Sequence, residues 1–333
     1  MPPREGSDVE ELRDRAIAVW RDWLVAVHRP RRIATVKERN ELRKRMSRVN
    51  VNIAAGGGHS LAVRQDGRIA CWGDNDVGQA PPDGMDGDFV AIAAGEDHSL
   101  ALRRDGRIAC WGDNDFGQAP PDGVDGDFVA VAAGAAHSLA LRSDGSIACL
   151  GSNDFGEAPP GGVDGDFVAI AAGGGHSLAL RQDGSVLCGG LNDDGQAPPG
   201  GVDGDFIAIA AGGFHSLALR RDGGVTCWGE NGEGQAPPDG MDGDFVAVAA
   251  GSYHSFALRR DGNIACLGSN DNGEAPPDGM DGDFIAIAAG ADHSLALRRD
   301  GKVACWGHND DGEAPADVAE LNATPFKTEI VIL

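Results

Sequence analysis

One period governs this chain: 39 residues, seven times over. His59, His98, His137, His176, His215, His254 and His293 keep it, each followed by Ser. Twelve residues after each His stands a cysteine: Cys71, Cys110, Cys149, Cys188, Cys227, Cys266 and Cys305. A period of about 20–50 residues marks an array in which each unit buries its apolar faces against its neighbours. A residue that recurs seven times is therefore first a requirement of the fold. The repeats span residues 50–322, with residues 1–49 before them and 323–333 after.

The second repeat shows the local plan. FVAIAAG (89–95) is followed by a two-residue spacer, Glu96-Asp97, then HSLALR (98–103), a turn with Asp105-Gly106, and RIACWG (107–112). These read as strands A, B and C, with an Asp-Gly hairpin joining B to C. The next 15 residues carry a Pro-Pro pair, which excludes a central strand and leaves at most a ragged outer edge. In strand B, His98, Leu100 and Leu102 face one way and Ser99 and Ala101 the other. In strand A, Val90 and Ile92 oppose Phe89, Ala91 and Ala93. Large alternating with small, rather than apolar with polar, describes a sheet covered on both faces. Radial packing achieves this, with the large face of one blade on the Ala-rich face of the next. The expected fold is all-β: a seven-bladed β-propeller of 39-residue, mainly three-stranded blades. Ahead of it, Val9, Leu12, Ala16, Trp20, Trp23 and Val27 keep helical spacing, Pro30 ends that helix, and residues 33–48 read as a second, basic helix. This N-terminal α-helical hairpin is expected to dock on an end of the propeller. The tail 326–333 (FKTEIVIL) is expected to close the ring beside the first blade, or else to pack on the hairpin.

Charge narrows the partners. Residues 1–48 hold 13 Arg/Lys against 8 Asp/Glu, and residues 49–333 hold 15 against 44, within a net charge of −24. So acidic a body repels phosphate backbones and anionic lipid. It suits a protein with a basic surface, or simply keeps a Gly/Ala-rich fold soluble. Nucleic acid would have to be met through the basic stretch 29–48, which also reads as a nuclear-localisation run or a solvated helix face. One cysteine per repeat fits buried thiols in a reducing compartment better than a disulfide framework. No apolar leader and no run of ~18 apolar residues is seen, so the expected setting is cytoplasmic, with the nucleus as alternative and no membrane.

The pattern GxxHSLALRxDGxIACWGxNxxGQ, at Gly95–Gln118 and six more times with drift, closely resembles the regulator of chromosome condensation repeat. The resemblance implies a seven-bladed propeller. The short blades look more like the propeller-type β-lactamase inhibitory protein of bacteria than like the family's four-stranded blades, and Gly-Gln/Glu-Ala-Pro replaces the family's Gly-Gln-Leu-Gly. The family's founding member is a guanine nucleotide exchange factor acting through a wedge inserted from the propeller. No such insertion interrupts residues 50–322.

The chemistry-bearing residues mostly keep the beat. Adjacent residues on a strand face opposite ways, so His98 cannot activate Ser99, and a nucleophilic site would not occur seven times. The histidines read as buried, hydrogen-bonded structural groups, the cysteines as core thiols, and Trp72, Trp111, Trp228 and Trp306 as packing. No catalytic residue, metal ligand or cofactor is assigned. The Asp-rich loops, such as Asp83, Asp86 and Asp88, are the best Ca²⁺ candidate. Their expected partners are instead the recurrent Arg64, Arg103, Arg142, Arg181, Arg220, Arg259 and Arg298 on the same rim. What breaks the beat is the other rim: the A–B spacers and the fourth residue of each C–A loop. Phe214 and Tyr253 on adjacent spacers, Phe116 and Phe155 at loop starts, and the acids Glu96, Asp97 and Asp292 are the candidate partner-binding residues. Drift at permissive loops would give the same variation. The expectation is a non-catalytic protein-interaction module. The alternative is a regulator of another enzyme, through nucleotide exchange on a small GTPase or by capping an active site.

Overall fold

Alternating large and small side chains on short strands leave each sheet needing cover on both faces, and the fold supplies it by symmetry. The computed structural model describes residues 53–315. The expected hairpin within residues 1–49 and the tail 323–333 lie outside the described residues. Seven three-stranded antiparallel sheets follow one another along the chain, each in the order A–B–C. We number these blades 1 to 7: residues 53–73, 89–112, 128–151, 167–190, 206–229, 245–268 and 284–307. In blade 2, strand A is Phe89–Ala94, B is His98–Arg103 and C is Ile108–Gly112. The ragged outer edge is one residue long: Met85, Val124, Val163, Val202, Met241 and Met280 each bridge the first residue of strand C. The prolines before them stop that edge from growing into a fourth strand.

The core lies between blades. Leu100, Leu102 and Ile108 of blade 2 pack on Phe128, Ala140, Val131 and Ala148 of blade 3. Blade 7 meets blade 1 in the same way, through Leu295, Leu297 and Val303 against Ile53, Ala62 and Ala70. Among the described residues the ring therefore closes through a joint like the others.

Strand A departs from simple alternation. In blades 2 to 7 a β-bulge follows its first residue, so that Phe89 opposes Arg103 while Ala91 opposes Leu102. One extra residue shifts the pleat. Phe89 then shares a side with Ile92 and Ala94 against blade 1, while Val90, Ala91 and Ala93 face blade 3.

Each joint is pinned by polar groups that recur with the period. His98 Nε2 lies 2.8 Å from Ser138 Oγ on blade 3, and His59 Nε2 2.8 Å from Ser99 Oγ on blade 2. The series runs round to His293 and Ser60, also at 2.8 Å. The alternation that separates His98 from Ser99 aims one at the next blade and the other at the previous one. Each Ser hydroxyl also donates to a main-chain carbonyl, as Ser99 does to Gln79 O at 3.0 Å. Its single proton is thus committed, so the histidine must donate through Nε2–H. Trp111 Nε1 donates to that same Gln79 carbonyl, and Trp72, Trp228 and Trp306 repeat the contact. These tryptophans are therefore polar pins as well as packing. A second belt links the spacers: Gly57 N donates to Gly95 O at 3.0 Å, and Ala291 N to Gly56 O across the closing joint.

Candidate functional site

The two-residue spacers sit where strand A turns into strand B, on the end of the molecule away from the Asp-Gly hairpins. Each C–A loop begins on the same end. Asp74 N donates to Gly58 O, Asp113 N to Asp97 O, and His308 N to Asp292 O, all at 2.8 Å. The two variable positions named from sequence are thus brought onto one face. Among them, Phe116 is 59% exposed, Phe155 38% and Tyr253 42%, with Val77 beside them in the ring order at 50%. Phe214 is half-buried because it leans on Tyr253, with ring centroids 5.7 Å apart. Glu96, Asp97 and Asp292 are exposed. The face has two sectors. Aromatics stand on blades 2 and 3 and on blades 5 and 6. The named acids fall on blades 7 and 2, flanking Asp74 and Asp76 of blade 1.

A buried amide or carboxyl supports every loop start. Gln79 accepts from Val77 N at 3.1 Å and donates to Asp74 at 2.9 Å. Gln118 does the same with Phe116 N and Asp113. Where Ser152 replaces the acid, Glu157 replaces the glutamine, and Ser269 with Glu274 repeats the exchange. In blade 7 His308 faces Glu313, and this hydrogen bond holds the imidazole above its usual pKa. Donor and acceptor are swapped together so that the buried group stays paired. Blade 4 is the exception. Leu191 takes the acid's place, and the fully buried Gln196 Nε2 has no partner. Sequence reading passed over this coupling, although the five-residue spacing within each loop displays it.

The face carries negative charge that no described Arg or Lys balances, and His308, 3.4 Å from Asp310 and bonded to Glu313, is the basic group its loop starts supply. Burial, then Asp74 and Asp113, push the Asp97 carboxyl above its ordinary pKa, and burial with Glu274 does the same to Asp292. All fourteen Arg and Lys of the described residues stand instead on the hairpin end, on strand B ends, B–C turns and strand C starts.

That opposite end corrects one expectation. The strand-B arginines mostly lie over phenylalanine rings, Arg103 at 4.6 Å from the Phe89 centroid and Arg298 at 4.5 Å from Phe284. The bulge brings each phenylalanine directly across from its arginine. The loop aspartates pair with other arginines: Asp88 with Arg104 at 2.9 Å, Asp205 with Arg221 at 3.0 Å, Asp86 with Arg68 at 3.2 Å. Of the recurrent set, Arg220 and Arg298 do reach loop aspartates, Asp242 at 3.3 Å and Asp283 at 3.7 Å. Among the described residues no group of three His, Cys, Asp or Glu is arranged to hold a metal ion. The seven cysteines are free thiols, pushed by burial up to about 12.

The blade sequence itself decides the family. The model of the regulator of chromosome condensation (RCC1) repeat matches residues 51–79, 89–118, 128–157, 167–196, 206–235, 245–274 and 284–313. The chain belongs to the RCC1 repeat family. No curated protein matches it in sequence. Among solved structures, this RCC1-repeat propeller is similar to the CRINKLY WD40 ectodomain of the Arabidopsis thaliana receptor kinase ACR4. The two are 23% identical, with a TM-score of 0.65 over 80% of this chain and 98% of that one. The ectodomain of the Physcomitrella patens receptor kinase CR4 gives 23% and 0.63 over 78% and 73%. Human WBSCR16 gives 21% and 0.62 over 73% and 85%. At these identities the likeness is one of fold.

Proposed function

We propose that this RCC1-repeat propeller is a non-catalytic protein-interaction module that binds a basic protein surface with its spacer face. The observation that carries the reading is the segregation of charge: every described Arg and Lys on one end, and acids with exposed aromatics on the other. Exposed tyrosine and phenylalanine supply rigid anchors, and unneutralised carboxylates steer a cationic partner into register. The spacer belt is tied blade to blade through its backbone, so these side chains stand on a rigid floor. Affinity capture at low salt, comparing the wild type with Phe214→Ala/Tyr253→Ala and with Glu96→Gln/Asp97→Asn/Asp292→Asn, tests it. Both variants should lose the same partner, and retention by both sinks the reading.

Regulation of an enzyme is the second reading, and it uses the same face. Among the described residues the spacers are two residues long and each loop start is tied back by a buried amide or carboxyl, so the face presents no wedge, which suits capping an active site better than prising open a GTPase. Nucleotide-release assays on small GTPases separate the two, since acceleration would favour exchange.

A further inference from the structure

The spacer face is acidic, partly apolar and, among the described residues, without a single Arg or Lys to balance it. Burial first, and then the neighbouring Asp74 and Asp113, hold the Asp97 carboxyl above its ordinary pKa. The same face exposes Val77, Phe116, Phe155 and Tyr253, so a basic chain lying over it would find apolar contacts as well as partners for its cations.

The sequence contains one segment of that chemistry. Residues 29–48 hold nine Arg/Lys against Glu38 and Glu41. Ile53, the first described residue, lies in strand A of blade 1, four residues below the spacer Gly57-Gly58. Extended chain spans at most about 3.3–3.6 Å per residue, so Lys44 is within roughly 30 Å of Ile53 and Lys37 within roughly 55 Å. The hairpin end is acidic as well, but several of its aspartates, Asp86, Asp88, Asp125, Asp205 and Asp244, already face arginines, whereas no described Arg or Lys stands on the spacer face.

We propose that residues 29–48 of this chain dock on its own acidic spacer face, and that a foreign basic partner gains the face by displacing them. The segment is the occupant of the free protein whether or not such a partner exists.

Zero-length carbodiimide coupling on the full chain, read by mass spectrometry, tests this. The chain has four lysines, Lys37, Lys44, Lys302 and Lys327. At micromolar protein and low salt, Lys37 and Lys44 should couple within one molecule to Asp76, Glu96, Asp97, Asp292, Asp310 or Asp311. The yield should fall severalfold at 0.5 M NaCl, where the Debye length shrinks to about 4–5 Å. It should fall again in Glu96→Gln/Asp97→Asn/Asp292→Asn. Lys302, 3.6 Å from Asp300, is the internal control that coupling works. Links from Lys37 and Lys44 only to hairpin aspartates such as Asp66 and Asp222, or no links beside a positive control, overturn the proposal. A basic partner that still binds in that case would leave the interaction reading standing and the segment excluded.

Discussion

The seven histidines are the residues on which the ring depends. Burial lowers each one, to about 3 for His59, His137, His176 and His215 and about 4 for His98, His254 and His293. They are neutral donors through Nε2, and the Nδ1 of six has no partner. A glycine stands against each ring, and a Cβ on Gly95 would come within 2.4 Å of His98 Cε1 and 2.5 Å of Gly134 O. Gly95→Ala should thus displace both the ring and the spacer belt, costing about 2–4 kcal/mol in urea denaturation. The pH dependence has a definite sign. An unfolded histidine titrates near 6.5 and the folded ones far lower, so the unfolded chain takes up more protons as pH falls. Stability is full above about pH 6.5 and lost as pH drops toward 4, by up to about 1.4 kcal/mol per histidine per pH unit. Seven acting together should give a steep acid transition in that window, and an unchanged urea midpoint between pH 7 and pH 5 would refute it. The structural role of these histidines was legible in their recurrence. Their partners were not, because adjacency in sequence hides a contact between residues 40 apart.

At the scale of the blade, the three strands were readable from Asp-Gly turns and from large–small alternation, and the packing of large face on alanine face followed. The bulge was not readable, since one inserted residue in FVAIAA leaves no mark in composition while reversing which side Phe89 occupies. Departures from the repeat are where blades differ in strength. Gly189, opposite Ser177, stands where four blades have Trp, and a cavity of about 10 Å³ lined by Leu139, Cys149, Glu157 and Ser177 opens at that joint. That space holds about one water, so a methyl is what it can take, and Gly189→Ala should raise stability by about 0.5–1 kcal/mol. A lowered melting temperature would show the joint already fully packed. Leu191→Asp should give Gln196 the acceptor its counterparts have. We expect a gain of about 1 kcal/mol, absent in Leu191→Asp/Gln196→Leu by double-mutant cycle.

For the whole molecule, the propeller was fixed by the period, and the face bearing Phe116, Phe155, Phe214, Tyr253, Glu96, Asp97 and Asp292 was assembled as the strand directions required. The segregation of cations was written in the sequence too, because every described Arg and Lys falls within ten residues after a repeat's histidine. It was obscured by attention to pairing on the hairpin end. If the spacer face binds a basic protein, its two sectors should act on different rates. Phe214→Ala/Tyr253→Ala should speed dissociation, whereas Glu96→Gln/Asp97→Asn/Asp292→Asn should slow association and flatten its salt dependence. Surface plasmon resonance with the captured partner reads both, and equal effects on both rates would argue against separate sectors.

The joint between blades 7 and 1 matches the other six in chemistry but joins the first and last blades rather than neighbours along the chain. Under load it is a zipper's open end. Stretched from its two ends in an optical trap, the ring should part there first and then yield blade by blade. Each rip would release one repeat of 39 residues, a contour of about 130–140 Å. A single rip for all seven blades would instead make the ring one mechanical unit.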